Sequence, residues 1–251
     1  MIVDAYAHCG KVKHAPLEKV LATMKEVGIE RTVLCQHLGE YDNDYLANAV
    51  SQYPEKFSAV CLVDPALPDS LDRVKNYQHA KLFRGVRVLA EWVDTAPRLW
   101  CAAMDLGMNL LVYAPNGIKS SVQNILETAR QCPSAKIVIS HLGNPKVADG
   151  KLVEGMDLMA LAQAPNVYVQ LSGQSMFCDY PYQALESFTF DAVKRFGPGR
   201  VMWGSNFPVS GDSQVVARDL DLVKAGRWEL GRNDIERVVG GTALDVWFAS
   251  K

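Results

Sequence analysis

Residues 83–113, FRGVRVLAEWVDTAPRLWCAAMDLGMNLLVY, decide the fold. They hold two short β-branched runs, 85–89 and 109–113, on either side of a stretch, 97–106, whose apolar residues recur at helical spacing. Pro97 opens that stretch and Gly107 follows it, the usual asymmetry of helix ends. Two apolar strands around one amphipathic helix make a parallel pair joined by a crossover.

The same alternation continues in both directions. Strands are expected at 2–6, 32–35, 58–63, 85–89, 109–113, 136–140, 167–171 and 200–204. Helices at 16–27, 43–53, 70–79, 97–106, 119–131, 152–163 and 181–195 fall between them, and helical stretches at 214–225 and 233–248 follow the last strand. Eight such units in 251 residues fit a single-domain (β/α)8 TIM barrel spanning 1–251. The rival is an open doubly wound sheet, but the GxGxxG or GxxxxGKS/T loop that usually marks one is missing.

Composition narrows the function. The chain is 49% hydrophobic, and its 26 Lys+Arg nearly cancel its 28 Asp+Glu, with no long block of one sign. That excludes an electrostatic footprint for nucleic acid or an anionic membrane and favours a small-molecule substrate. The six cysteines form no CxxC pair, so they are expected to be reduced and mostly buried rather than part of a zinc finger or disulfide scaffold. The start of the chain lacks a basic signal-peptide region, and no apolar run approaches the roughly 20 residues that cross a bilayer, so a cytoplasmic protein is expected. The sequence does not decide between a monomer and a homo-oligomer.

In a TIM barrel the chemistry gathers at the carboxyl ends of the strands. Polar residues collect there: His8 after the first strand, Arg87 in the fourth, Tyr113 ending the fifth, His141 after the sixth, Gln170 and Ser172 at the seventh, Asn206 after the eighth. Residues two apart share a strand face, so Asp4, Tyr6 and His8 are expected to project inward together, and Arg87 with Gly85, opposite to Arg84. Each has a plainer reading too. Asp4 and His141 suit a hydrogen-bonded core network, and Arg87 a structural ion pair. His14, His37 and His79 carry less: His79 is expected to face solvent, and His37 falls on the rim without an assigned role.

Six ordered segments resemble the amidohydrolase superfamily, specifically its amidohydrolase-2 group of lactonases, 2-pyrone-4,6-dicarboxylate lactonases and related decarboxylases. VDAYAHCG (3–10) resembles the family's DxHxH, FRGVRVL (83–89) its RGxR, VISHLGNP (138–145) its DHxGxP, NVYVQLSG (166–173) its NxxxKLSG, RVMWGSNFPVS (200–210) its RxxWGSDxP and GGTAL (240–244) its GGNA. The resemblance implies a barrel hydrolase that works either with a divalent metal or with an aspartate activating water. His8 and His141 carry over. Tyr6 stands where the first histidine of the pair is expected, Asn206 replaces the aspartate, Gln170 replaces the common lysine, and Tyr113 lies where some members have a histidine.

Those departures set the expected chemistry. A catalytic zinc normally has three protein ligands, and only His8 and His141 remain, so no cofactor is expected; Zn or Mn on those two histidines is the alternative. A carboxamide cannot take a proton, so Asn206 cannot serve as the base and is expected to orient water or substrate. The resemblance thus implies an enzyme opening a small carboxylated lactone, with Arg87 on the substrate anion, His8 and His141 polarising the carbonyl, and Tyr113, Gln170 and Ser172 lining the substrate. Proton transfer falls to a histidine or to Tyr6, whose pKa near 10 a cationic neighbour would have to lower. The alternatives are a metal-independent isomerase, dehydratase, cyclase or decarboxylase on the same scaffold, or a catalytically silent barrel that binds a metabolite.

Overall fold

The computed structural model describes residues 1–249. Its elements, in chain order, are β1 (Val3–Ala7), α1 (Leu17–Val27), β2 (Arg31–Cys35), α2 (Asp44–Gln52), β3 (Phe57–Leu62), α3 (Ser70–His79), β4 (Phe83–Leu89), α4 (Trp92–Thr95), α5 (Pro97–Asp105), β5 (Asn109–Tyr113), α6 (Val122–Gln131), β6 (Ile137–Ile139), β7 (Lys146–Ala148), β8 (Lys151–Glu154), β9 (Val167–Leu171), α7 (Glu186–Phe196), β10 (Val201–Trp203), α8 (Ser213–Lys224), α9 (Arg232–Glu236) and α10 (Thr242–Trp247). Eight parallel strands lie in the order β1-β2-β3-β4-β5-β6-β9-β10. Each of them falls where alternation places it, to within two residues. The fold is a single-domain (β/α)8 barrel.

The seam between β10 and β1 closes just past the strand ends. Ala7 bridges Phe207 in parallel register, the His8 amide donates to the Phe207 carbonyl at 2.7 Å, and the Asn206 amide donates to the Tyr6 carbonyl at 2.8 Å. Asp4 locks the same seam. One carboxylate oxygen accepts from the Ser205 and Tyr6 amides at 2.8 and 3.1 Å, and the other from the Ser205 hydroxyl at 2.5 Å.

Strand alternation sorts the core into two layers. Val86, Val88, Leu110, Val112, Ile137 and Ile139 pack outward with the helices. Val33, Val60, Leu111, Val138 and Met202 fill the interior, where Trp247 from α10 joins them. A Cβ on Gly85 would sit 2.9 Å from the Trp247 ring, so this glycine makes room for the indole. Trp247 therefore plugs the amino-terminal end of the barrel, and the polar residues expected to form the site belong to the other end.

Three expectations need correction. The stretch 152–163 does not begin as a helix: Leu152 lies in β8, which pairs antiparallel with β7, and a 3-10 helix over Met156–Gln163 follows. Asp149 and Gly150, at φ 49 and 68°, make the tight turn between those strands, as an Asp-Gly pair in a two-residue hairpin does. The helix expected from Pro181 starts at Glu186, after a short 3-10 turn. Finally, Asp4, Tyr6 and His8 do not form one row. The register slips between Asp4 and Ala7, and this irregularity in β1 lets Tyr6 join Val3 and Ala5 in the interior while Asp4 turns to Ser205.

All six cysteines are free, four of them buried, as their spacing implies. Among the described residues, no helix is long and apolar enough to cross a membrane.

Candidate active site

Tyr6 is the hub of the polar end. Its ring meets His8 edge-on at 5.0 Å between centroids and His141 at 4.5 Å. Tyr113 meets His141 at 5.8 Å from the other side. The Arg87 guanidinium lies over both phenols, 4.9 Å from the Tyr113 centroid and 5.8 Å from that of Tyr6. Asn206 is drawn in through Gly173: a Cβ built there would lie 2.8 Å from Nδ1 of His141 and 3.3 Å from Nδ2 of Asn206. Ser172 donates to or accepts from Nδ1 of His141 at 2.9 Å. Seven of the eight site residues expected from sequence thus share one cluster. Gln170 sits on the same strand face as Ser172, with its Nε2 donating to the Ala5 carbonyl at 2.8 Å.

Backbone strain holds this end in shape. His141, Leu142 and Asn144 adopt φ of 52, 54 and 56°, and Asn206 adopts 54°, a left-handed conformation that asparagine tolerates better than most residues. Such positions persist only where the surroundings over-determine them, and they gather at functional sites.

Protonation states follow from burial. Tyr6 is wholly buried, and burial pushes its phenol well above the ordinary range even though the Arg87 charge pulls the other way. The condition set for proton transfer by Tyr6, a net lowering by a cation, is not met: Arg87 lowers the phenol, but burial outweighs it and favours the protonated hydroxyl. Burial, then Arg87 and His14, push His8 well below the usual imidazole range. Burial and Arg87 bring His141 down to about 3. Nδ1 of His8 lies 2.6 Å from the Cys35 carbonyl, which can only accept. The ring proton therefore sits on Nδ1, and Nε2 carries a free lone pair.

Arg87 is the outlier. It is 5% exposed, donates through Nη1 to the Gln36 carbonyl at 2.7 Å, leaves Nε without a partner, and has no carboxylate within ion-pair distance among the described residues. The structural ion pair that sequence allowed for it is therefore missing. Cation–π contacts contribute about 0.5–2 kcal/mol each, whereas a buried ion costs several. The two phenols do not balance that cost.

Sequence reasoning passed over His14. Its ring stacks on His8 at 4.7 Å, nearly parallel, and meets His37 at 5.1 Å. The signal available was Gly10, two residues past His8: it turns the chain so tightly that a Cβ there would lie 2.4 Å from the Lys13 carbonyl oxygen. A hollow of 290 Å³ opens beside His37, walled also by Cys9, Lys13, Gln36 and Tyr45. A larger one of 570 Å³ lies between α6 and residues 163–166, on the outer wall, and holds none of the histidines.

The donor set does not fit a divalent metal. Among the described residues, no three His, Cys, Asp or Glu side chains group so as to hold an ion. What converges is two imidazoles, two phenols, a carboxamide and a guanidinium cation, a set that attracts an anion and repels a cation.

A closed barrel with a polar carboxyl-end cluster is the architecture of a barrel enzyme, and the chain belongs to the amidohydrolase family, whose family model matches residues 2–249. It is a hydrolase of that family. It is 31% identical over 210 residues to an L-fucono-1,5-lactonase of Burkholderia ambifaria, covering 77% of this chain and 69% of that protein. It is 27% identical to a 4-sulfomuconolactone hydrolase of Rhizobium radiobacter, over 83% of this chain and 72% of the other. Among solved structures, an amidohydrolase of Burkholderia multivorans with bound zinc superposes over the whole of both chains with a TM-score of 0.81 at 17% identity, a likeness of fold.

Proposed function

We propose that this protein hydrolyses a small carboxylated lactone, without a metal ion, in the cluster around Tyr6. The observation that carries the reading is Arg87: a buried guanidinium with a free Nε and no counter-ion is a site for an anion. A carboxylate supplies two acceptors in the plane that a guanidinium prefers. The lactonase names of two relatives in the family support ring opening as the reaction.

The remaining groups fall into roles by their protonation. The Tyr6 hydroxyl, protonated and without a partner, donates to the lactone carbonyl oxygen. His141, oriented by Ser172, adds a second donor from its other ring nitrogen. Each such donor is worth about 3 kcal/mol when charge builds on that oxygen. His8, with Nε2 unprotonated, accepts the proton of the attacking water, which Asn206 orients, and returns it to the ring oxygen as the acyl C–O bond of the ring breaks. Burial, and after it Arg87, depress both imidazoles in the empty site, and a carboxylate bound to Arg87 offsets only the second of these. Substrate binding thereby lifts the Arg87 share of the depression from His8 and leaves the share due to burial.

A screen of small lactones with a pH readout tests the reading. Carboxylated lactones are expected to be opened with a kcat/KM about 10²-fold or more above that of the same rings lacking the carboxylate. Carboxylated lactones that bind but are never opened would overturn it. Turnover by metal-stripped protein equal to that of untreated protein is the expected result of the companion experiment.

A further inference from the structure

Among the buried polar atoms without a partner are three at or beside the proposed site: the Tyr6 hydroxyl, Nε of Arg87 and Oε1 of Gln170. The proposed reaction uses the first two. Gln170 is 0% exposed and points inward, because its strand neighbours Val169 and Leu171 pack outward with the helices. Its amide cannot be turned end for end. Nε2 donates to the Ala5 carbonyl, and a carbonyl offers nothing to an amide oxygen, so the group left over is an acceptor. Ala5 directly precedes Tyr6, which places the amide next to the hub of the site. Met202, paired with Gln170 across β10, has a thioether that cannot donate.

The surroundings make the amide conspicuous. At this depth the interior is otherwise lined by Val33, Val60, Leu111, Val138 and Met202. An apolar side chain of the same length would complete that layer at no electrostatic cost, whereas a buried amide oxygen without a donor costs about 1–3 kcal/mol. Arg87 calls for an acceptor and Gln170 for a donor, so the complementary molecule carries both.

We infer that Gln170 is a specificity-determining residue whose Oε1 accepts a hydrogen bond from a hydroxyl of the substrate. This rests on the lactone reading and narrows it to lactones that bear a hydroxyl as well as a carboxylate. The group is read by geometry: the Ala5 carbonyl holds one end of the amide so that the other is presented in one orientation.

The test uses a matched pair of carboxylated γ-lactones, one with ring hydroxyls and its deoxy counterpart, each measured for binding by calorimetry and for hydrolysis. The wild-type protein is expected to bind the hydroxylated member roughly ten- to a hundredfold more tightly. Gln170→Met keeps the side-chain length and removes the acceptor, and the preference is expected to collapse to within a few-fold. Equal binding of the pair by the wild type overturns the inference without any variant having to fold, and so does an unchanged ratio in Gln170→Met. If the preference and its collapse are seen but neither lactone is opened, the inference holds and the hydrolytic reading falls. If both are opened equally well and bound equally well, the hydrolytic reading holds and the inference falls.

Discussion

Asp4 and Arg87 are both buried charged residues on barrel strands, 3% and 5% exposed, yet their surroundings differ completely. Asp4 accepts three hydrogen bonds from Ser205 and Tyr6 and holds the seam shut. Arg87 has one carbonyl, two aromatic faces and an idle Nε. The first network is complete within the chain; the second is complete only with another molecule. Burial alone therefore does not separate structural from functional polar groups, and the count of unmet hydrogen bonds does.

The largest effect that would break this contrast is on turnover. Replacing Arg87 by Met leaves the length and most of the contact with Tyr6 and Tyr113 but removes the charge. The expected outcome is a fall of about 10³-fold in kcat/KM for a carboxylated lactone, in the range measured when one partner of a buried charge pair is truncated. Steady-state kinetics on paired substrates would show it, and the ring lacking a carboxylate should lose far less. A variant that handles both substrates like the wild type would put Arg87 on the structural side with Asp4.

Asp4 sharpens the contrast from the other side, through stability and pH. Burial raises its carboxyl to about 6, against the hydrogen bonds that pull it down. The sign follows from linkage. A folded-state pKa above the unfolded one, 3.8, means that the native state binds the proton more tightly, so this group's contribution is fully present below about pH 4 and is lost as pH rises through 6. The loss is about 3 kcal/mol, taking 1.4 kcal/mol per pH unit of difference. Asp4→Asn removes the titration. Denaturant unfolding of the two proteins at pH 4 and pH 7 should show their stability difference shifting by about that amount, with the wild type relatively weaker at pH 7, while kcat stays within a few-fold.

How much of this contrast the sequence carried depends on the distance over which each feature is set. Strand positions and the inward aim of Arg87 come from alternation between nearest neighbours, so FRGVRVL alone placed its guanidinium on the Gly85 face, away from Arg84. His8, His141, Tyr113, Ser172 and Asn206 were placed at one rim because strand ends and the barrel together fix a surface. What the sequence could not carry is set by contacts between remote segments. The slip in β1 that splits Asp4 from Tyr6 answers to the seam with Ser205 and Phe207, some 200 residues away. Proton transfer by the Tyr6 phenol required a cation to lower it; the cation is present, but it is outweighed by a burial that no local pattern reveals. The hairpin at 146–154 is a different failure. Its Asp149–Gly150 turn was legible, and a helical reading of the apolar run that follows hid it.

The smallest effect is the one that tests the argument most directly, because it runs against intuition. If the Arg87 guanidinium is stabilised only when an anion sits on it, then in the empty protein it is a liability, and Arg87→Met should raise stability while it lowers kcat/KM for the carboxylated lactone. Replacing a buried charge by an apolar group of similar size is often neutral or stabilising by 1–4 kcal/mol. Part of that is lost here with the Gln36 carbonyl's bond and the two cation–π contacts, so a gain of about 1 kcal/mol is expected, a rise of roughly 2–4 °C in Tm for a chain of this size. Adding a small carboxylate such as malonate should stabilise the wild type and leave the variant unchanged, since only a protein that binds the anion is drawn towards its folded state. Asp4→Asn, whose partner groups are all within the chain, should respond to malonate as the wild type does.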